Sequence, residues 1–249
     1  MFRMWRRLAQ QTKGSPAIIH GFDLINEPYN VAPGVSLNAL YRDLVREIRN
    51  IDPNRSVILD FYNQHYHDSD RVPGLFKPQL PTYYDSRDLG TRGNTNLAGR
   101  IYYSTHFYWP GDYTHQGISF RTGDGSIKSL PAGQRWPDAA RESNRTPWTR
   151  AGLEKRLVGV RRFADRVGYW RMFIGEYSAS ACPACGWETR DSLTGQRPAN
   201  GGDTWLYHTA NYFDRQGWSW TYHSLNGANF WDAATPRWRW NHIRYLLSQ

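Results

Sequence analysis

Cysteine is scarce: 249 residues contain only Cys182 and Cys185, in one Cys-Pro-Ala-Cys stretch. A second Cys-x-x-Cys pair is missing and no histidine stands nearby, which argues against a zinc site. The pair is either a local disulfide or two free thiols. No run of about 18 apolar residues exists, so no membrane span is expected. The N-terminal stretch MFRMWRRLAQQTKG has neither an apolar signal core nor a small-residue cleavage site. Internal repeats and low-complexity tracts are absent. Acidic residues are in deficit, with 22 Asp and Glu against 31 Lys and Arg, a net charge of +9. Such a balance can serve nucleic-acid binding. Here the arginines are scattered, clustering only at Arg3–Arg7 and Arg161–Arg162, and no nucleic-acid motif accompanies them. The charge is read as solubility, and nucleic acid is not an expected partner.

Aromatics, by contrast, are abundant: 12 Trp, 16 Tyr and 10 Phe. They suit either a surface that stacks on sugar rings or an aromatic-rich core. The length fits one large domain spanning residues 1–249.

Phe2, Met4, Trp5, Leu8 and Ala9 have helical spacing, and Gly14 and Pro16 end that helix. The stretch Ala17–Asn30, AIIHGFDLINEPYN, reads as a strand buried on both faces through Ile18, Ile19, Phe22, Leu24 and Ile25. Pro28 has no N–H to donate and stops the pairing, leaving Glu27 at the strand's C-terminal end. Ser36 can cap a helix with Leu37, Leu40, Tyr41, Leu44 and Ile48 on one stripe. A turn at Asp52-Pro53-Asn54 leads to a strand over Ser56–Phe61. Residues 62–98 form a long loop of the kind that binds ligands or stays disordered. A third strand covers Arg100–Tyr108, and its period puts His106 and Tyr108 on one face. Residues 109–147 read as a polar loop and Thr149–Val167 as an amphipathic helix. A fourth strand, Tyr169–Tyr177, ends near Glu176. Asp203 can cap a helix ending near Gln216. A fifth strand, Gly217–His223, precedes a loop with Asn229, Trp231 and Asp232, and a final helix ends at Leu247. Five rounds of strand and connection predict an α/β fold with a parallel sheet.

Two carboxylates, Glu27 and Glu176, stand at the C-terminal ends of different strands. Glycoside hydrolysis needs such a pair: one protonates the leaving oxygen, and the other attacks the anomeric carbon or activates water. A separation of about 5–5.5 Å gives the covalent, retaining route.

The motifs Leu24-Ile25-Asn26-Glu27-Pro28, His106-Phe107-Tyr108, Phe173-Ile174-Gly175-Glu176-Tyr177 and Gly217-Trp218-Ser219-Trp220 make the chain resemble glycoside hydrolase family 5, the cellulase-like (β/α)8 barrels. The four motifs occur in family order. The resemblance implies that Glu27 is the acid/base and Glu176 the nucleophile of a retaining endo-β-1,4-glucanase acting on β-linked polysaccharide. It also implies that Asn26 bonds the substrate 2-hydroxyl, that Tyr108 donates to Glu176 and holds it ionised, and that His106 bonds near Glu27 or the substrate. Trp220 would be the sugar platform, with Trp231 sharing the stacking. No cofactor and no metal is implied. Where many members carry a second Trp three residues after the first, this chain has His223.

The resemblance places three strands and their helices before the strand with the acid/base, together with an Arg and a His. A βαβ unit takes about 30 residues, and fewer than that precede Glu27. The expected fold is therefore an incomplete (β/α)8 TIM barrel of about five βα units, corresponding to strands 4–8. Open apolar edges recruit another chain, so a homodimer is expected. Activity is expected to be weak or lost, and a non-catalytic remnant that at most binds polysaccharide is the alternative. Secretion is expected if a full-length parent carries an upstream signal.

Overall fold

The computed structural model describes residues 1–15, 20–28, 37–61, 100–117, 119–121, 125–143, 145–179, 201–223, 231–232 and 237–238. In chain order the elements are α1 (Phe2–Thr12), β1 (Gly21–Asp23), α2 (Leu37–Ile51), β2 (Ser56–Asp60), β3 (Ile101–Phe107) and α3 (Gly111–Thr114). Four short strands follow, β4 (Ser119–Arg121), β5 (Ile127–Ser129), β6 (Asp138–Ser143) and β7 (Thr146–Trp148). The rest are α4 (Arg150–Arg156), α5 (Val158–Val167), β8 (Met172–Tyr177), α6 (Gly202–Arg215), β9 (Ser219–Trp220), β10 (Trp231–Asp232) and β11 (Arg237–Trp238).

Five strands form one sheet in the order β1-β2-β3-β8-β9. The β1–β2 and β2–β3 pairs are parallel. Spatial order follows chain order, as in a barrel wound in one direction. The α/β reading with a parallel sheet is thus met.

The chain divides into two compact units. The first comprises Met1–Thr105 and Trp170–Phe173, and the second His106–Tyr169 and Ile174–Gln249. Strands β3 and β8 run through both. In the first unit, α2 buries Leu37, Tyr41, Leu44, Val45 and Ile48, the face its sequence period assigns. Trp5 and Ala9 are the buried residues of α1, and Trp5 meets Phe22 with ring centroids 5.3 Å apart. The buried Arg55 clamps this region. It pairs with Asp52 at 2.9 Å, donates to the Thr12 carbonyl at 2.6 Å and lies over the Phe22 ring.

The second unit is built on aromatic side chains. Phe107, Trp109, Tyr113, Trp136, Trp148, Tyr177, Trp205, Phe213 and Trp218 are all buried. The choice between core and sugar-stacking surface is therefore settled in favour of core for these residues. Trp205 sits at the centre of the cluster, facing Phe107, Tyr113 and Tyr177.

Several boundaries differ from those the sequence predicts. The first strand is three residues long among the described ones. Asp23 is exposed, so between Gly21 and Ile25 only Phe22 and Leu24 are buried. Residues 109–147 are not a plain loop: β4–β5 and β6–β7 are antiparallel hairpins. Strands β5 and β6 face solvent and lack the alternation that announces a half-buried strand, and β7, buried–exposed–buried, is too short at three residues to show a period. Buried Trp136 and Trp148 anchor them. The helix over Thr149–Val167 breaks at Leu157 into α4 and α5, while Leu153, Leu157, Val160 and Ala164 stay buried as the stripe predicts. Tyr169–Arg171 is a 3-10 turn, and β8 begins at Met172. Asp203 does not cap α6. Gly201 does, at φ 75°, and a Cβ there would lie 1.7 Å from the Trp136 carbonyl oxygen. Only glycine meets both demands. Asp203 is buried in the first turn and accepts from the Thr204 N–H at 2.7 Å. The fifth strand is shorter than Gly217–His223, although Thr221 and His223 still donate to the Ile174 and Tyr177 carbonyls. Trp231 lies in β10, paired with β11, rather than in a loop. Ser36, the loop 62–98, Cys182, Cys185 and the helix ending at Leu247 lie outside the described residues.

Candidate active site

In the second unit, Glu176 is the second-last residue of β8. A strand sends successive side chains to opposite faces. Tyr177 accordingly packs against Trp205 and Phe213, and Glu176 points the other way. On β3 the same rule sends Phe107 toward Trp205 and leaves His106 and Tyr108 on the face of Glu176. The three side chains meet. Tyr108 Oη donates to Glu176 Oε2 at 2.7 Å, and His106 Nδ1 lies 3.4 Å from the same oxygen. The His106 side chain is 1% exposed and that of Glu176 21%. A phenol donating to a carboxylate makes a short, charge-assisted bond that fixes the acceptor's direction. Tyr108 is itself held. Its carbonyl accepts from Thr114 Oγ1 of α3, and its ring lies 5.1 Å from that of His115. Tyr177 is buried, and that burial pushes its phenol well above the ordinary tyrosine range, with Asp214 adding in the same direction. It is a neutral wall residue.

A further side chain reaches this carboxylate. His223 Nδ1 lies 3.7 Å from Glu176 Oε1, outside hydrogen-bond range but close enough for charge attraction when the imidazole is protonated. The sequence treats position 223 only as a missing tryptophan. The signal that finds it is the strand period. Trp220 and Tyr222, two apart, both meet Tyr177 edge-on, so the odd-numbered His223 falls on the opposite face with Glu176. For the same reason the described contacts of Trp220 run to Tyr177 and to Asp214 Oδ1, at 2.8 Å from its indole nitrogen, rather than to Glu176.

In the first unit, Glu27 follows β1 by four residues. Leu24 N–H still donates to the Ile58 carbonyl at 3.2 Å, after which the chain turns out of the ladder. Glu27 has φ 42°, one of two non-glycine residues with positive φ among those described. A left-handed conformation costs a residue with a Cβ about 1–2 kcal/mol. Its backbone N–H donates to Asp60 Oδ2 at 3.0 Å. Asp60 is completely buried at the end of β2, and its carbonyl accepts the Tyr41 hydroxyl at 3.0 Å. Asn26 is exposed beside Glu27, and Pro28 is buried. The sequence does not single out Asp60. An acid closing the apolar run Val57-Ile58-Leu59 is its only local mark.

The family model for cellulase (glycosyl hydrolase family 5) matches residues 1–229. The chain belongs to glycosyl hydrolase family 5. Among solved structures it is similar to an endoglucanase, with 20% identity and a TM-score of 0.69, over 100% of this chain and 65% of the other. A hyperthermophilic endo-β-1,4-glucanase in complex with substrate is 21% identical, with a TM-score of 0.63 and coverage of 100% and 65%. The clostridial cellulose synthase subunit Z from Clostridioides difficile is 20% identical, with a TM-score of 0.66 and coverage of 99% and 65%. At these identities the likeness speaks for the fold. The chain spans 65% of the length of each of these structures. A comparison with curated protein sequences finds no match.

Proposed function

We propose that this chain carries the chemistry of a retaining endo-β-1,4-glucanase acting on β-linked polysaccharide. Glu27 protonates the glycosidic oxygen while Glu176 attacks the anomeric carbon. The resulting glycosyl ester on Glu176 is then hydrolysed by a water that Glu27, now a carboxylate, deprotonates. Asn26 binds the 2-hydroxyl of the sugar being cleaved, and Tyr108 and His106 orient Glu176. Trp231 is assigned to sugar stacking, and Trp220, whose contacts run to Tyr177 and Asp214, to the aromatic wall. The described strands of the sheet stand for strands 4–8 of a (β/α)8 barrel. The observation that carries the reading is the Tyr108 hydroxyl on Glu176 Oε2 at 2.7 Å, with His106 beside it. A carboxylate tethered through one oxygen presents the other in a fixed direction, which nucleophilic attack requires. Membership of the cellulase family and the endoglucanase names of the similar structures support the substrate class. The test is proton NMR of soluble cello-oligosaccharide during hydrolysis. The β-anomer is expected to accumulate before mutarotation. The α-anomer appearing first rules out retention, and the absence of new reducing ends rules out the enzyme.

A second reading is a non-catalytic chain that folds as an oligomer and at most binds polysaccharide. It draws on the sheet order: among the described residues β1 pairs on one side only, with β2. Both readings include a homodimer that covers open sheet edges. Light scattering at micromolar concentration is expected to give twice the chain mass of 29.0 kDa, and a monomer mass rejects the dimer.

A further inference from the structure

A fully buried carboxylate is costly unless something uses its charge, and Asp60 is 0% exposed. In the parallel register Asp23 lies beside Ile58, and Leu24 N–H donates to the Ile58 carbonyl. A continued ladder would bring the Asn26 N–H to the Asp60 carbonyl. That carbonyl accepts the Tyr41 hydroxyl, and the Asp60 carboxylate instead reaches the chain one residue later, at the Glu27 N–H. The neighbouring backbone is fixed as well, since Phe61 N–H donates to the Ser104 carbonyl at 2.9 Å. Glu27 needs such a partner. Its φ of 42° is disfavoured for a residue with a Cβ, and the following Pro28 pushes its predecessor toward extended backbone.

We propose that Asp60 is the positioning residue for Glu27. It clamps the Glu27 amide so that the left-handed backbone persists, and that backbone sets the direction in which the Glu27 carboxyl leaves the chain. The assignment rests on the acid/base role proposed for Glu27.

The experiment compares wild type with Asp60→Ala and Asp60→Asn on two aryl β-cellobiosides. One releases a dinitrophenolate, which departs without a proton. The other releases phenol, which needs one. Asp60→Ala is expected to lower kcat by about 100-fold on the phenyl substrate, the penalty of a misplaced catalytic group. On the dinitrophenyl substrate the loss in kcat/KM, which reports the first step alone, stays below about 5-fold, because departure there draws little on general acid catalysis, while kcat falls with the water attack that Glu27 also assists. Asp60→Asn keeps a carbonyl oxygen facing the Glu27 N–H and restores most of the phenyl rate. Equal losses of kcat/KM on both substrates would show a general structural role and overturn the proposal. Deuterium exchange at the Glu27 amide gives a readout that needs no activity: exchange is slow in wild type and accelerated in Asp60→Ala. An unchanged rate overturns the clamp even if hydrolysis is absent, whereas acceleration in an inactive protein upholds the clamp and rejects the acid/base role. If Asp60→Ala does not fold, Asp60→Asn decides: its neutral oxygen holds the Glu27 amide in place but is a weaker acceptor than the carboxylate, so that amide exchanges faster than in wild type, and an unchanged rate overturns the clamp.

Discussion

Glu176→Gln is expected to reduce kcat on β-1,4-glucan by about 10⁴-fold, with KM nearly unchanged. The substitution keeps the shape of the side chain. Tyr108 Oη can still donate to the amide oxygen where it now bonds Oε2 at 2.7 Å, so folding and substrate binding persist. What disappears is the negative oxygen that would attack the anomeric carbon. Removing a nucleophile from a cooperating set costs several orders of magnitude, and 10⁴-fold corresponds to about 5.5 kcal/mol of transition-state stabilisation. Reducing-sugar release from carboxymethylcellulose measures it. Equal release by both proteins removes Glu176 from the mechanism and with it the retaining route. A drop of only a few-fold assigns Glu176 to substrate binding.

Trp205→Ala is expected to destabilise the protein by about 4 kcal/mol, in the range for deleting a buried tryptophan. Trp205 is 0% exposed and faces Phe107, Tyr113 and Tyr177. Its indole nitrogen donates to the Trp109 carbonyl at 3.0 Å, so truncation opens a cavity and strands a buried acceptor. The melting temperature should fall on the order of 10 °C for a domain of this size. Tyr207, two residues along the same helix, is 46% exposed, and its alanine variant should shift stability by about 0.5 kcal/mol or less. Calorimetry on the two variants gives the contrast. A Trp205→Ala melting point within about 2 °C of wild type would mean that the aromatic cluster closes over the gap. Phe107 and Tyr177 each adjoin a side chain of the candidate site, His106 and Glu176. The variant's activity, assayed well below its melting point, therefore reports how far the site depends on this support.

The parts of the fold written in long periodic runs were legible in the sequence. The α2 stripe of Leu37, Tyr41, Leu44 and Ile48 is buried as its spacing demands, and β2, β3 and β8 fall within the predicted strands. The common face of His106 and Tyr108 is legible from period-two alternation on β3, and the Tyr108 bond to Glu176 from the family resemblance; His106, expected near Glu27 or the substrate, lies beside Glu176 instead. Solvent-facing strands such as β5 and β6 carry no such period, and the three residues of β7 are too few to show one. Gly201 capping α6 follows from the approach of the Trp136 carbonyl, a contact 65 residues away in the chain (201 against 136). The Asp60 bond to Glu27 likewise spans 33 positions and is set by neighbouring strands rather than by any local motif. His223 shows in the sequence only as a departure from a tryptophan, and its place beside Glu176 follows from the alternation around it.

The alternation on and after β9 also limits how this segment can vary in length. Trp220 and Tyr222 face Tyr177, while His223 faces Glu176. Inserting or deleting one residue just before position 222 would exchange those faces. A phenol would then stand at the carboxylate, and an imidazole would be driven into the aromatic wall. Length changes of two residues preserve the arrangement, so insertions and deletions in this part of the chain should be tolerated in pairs.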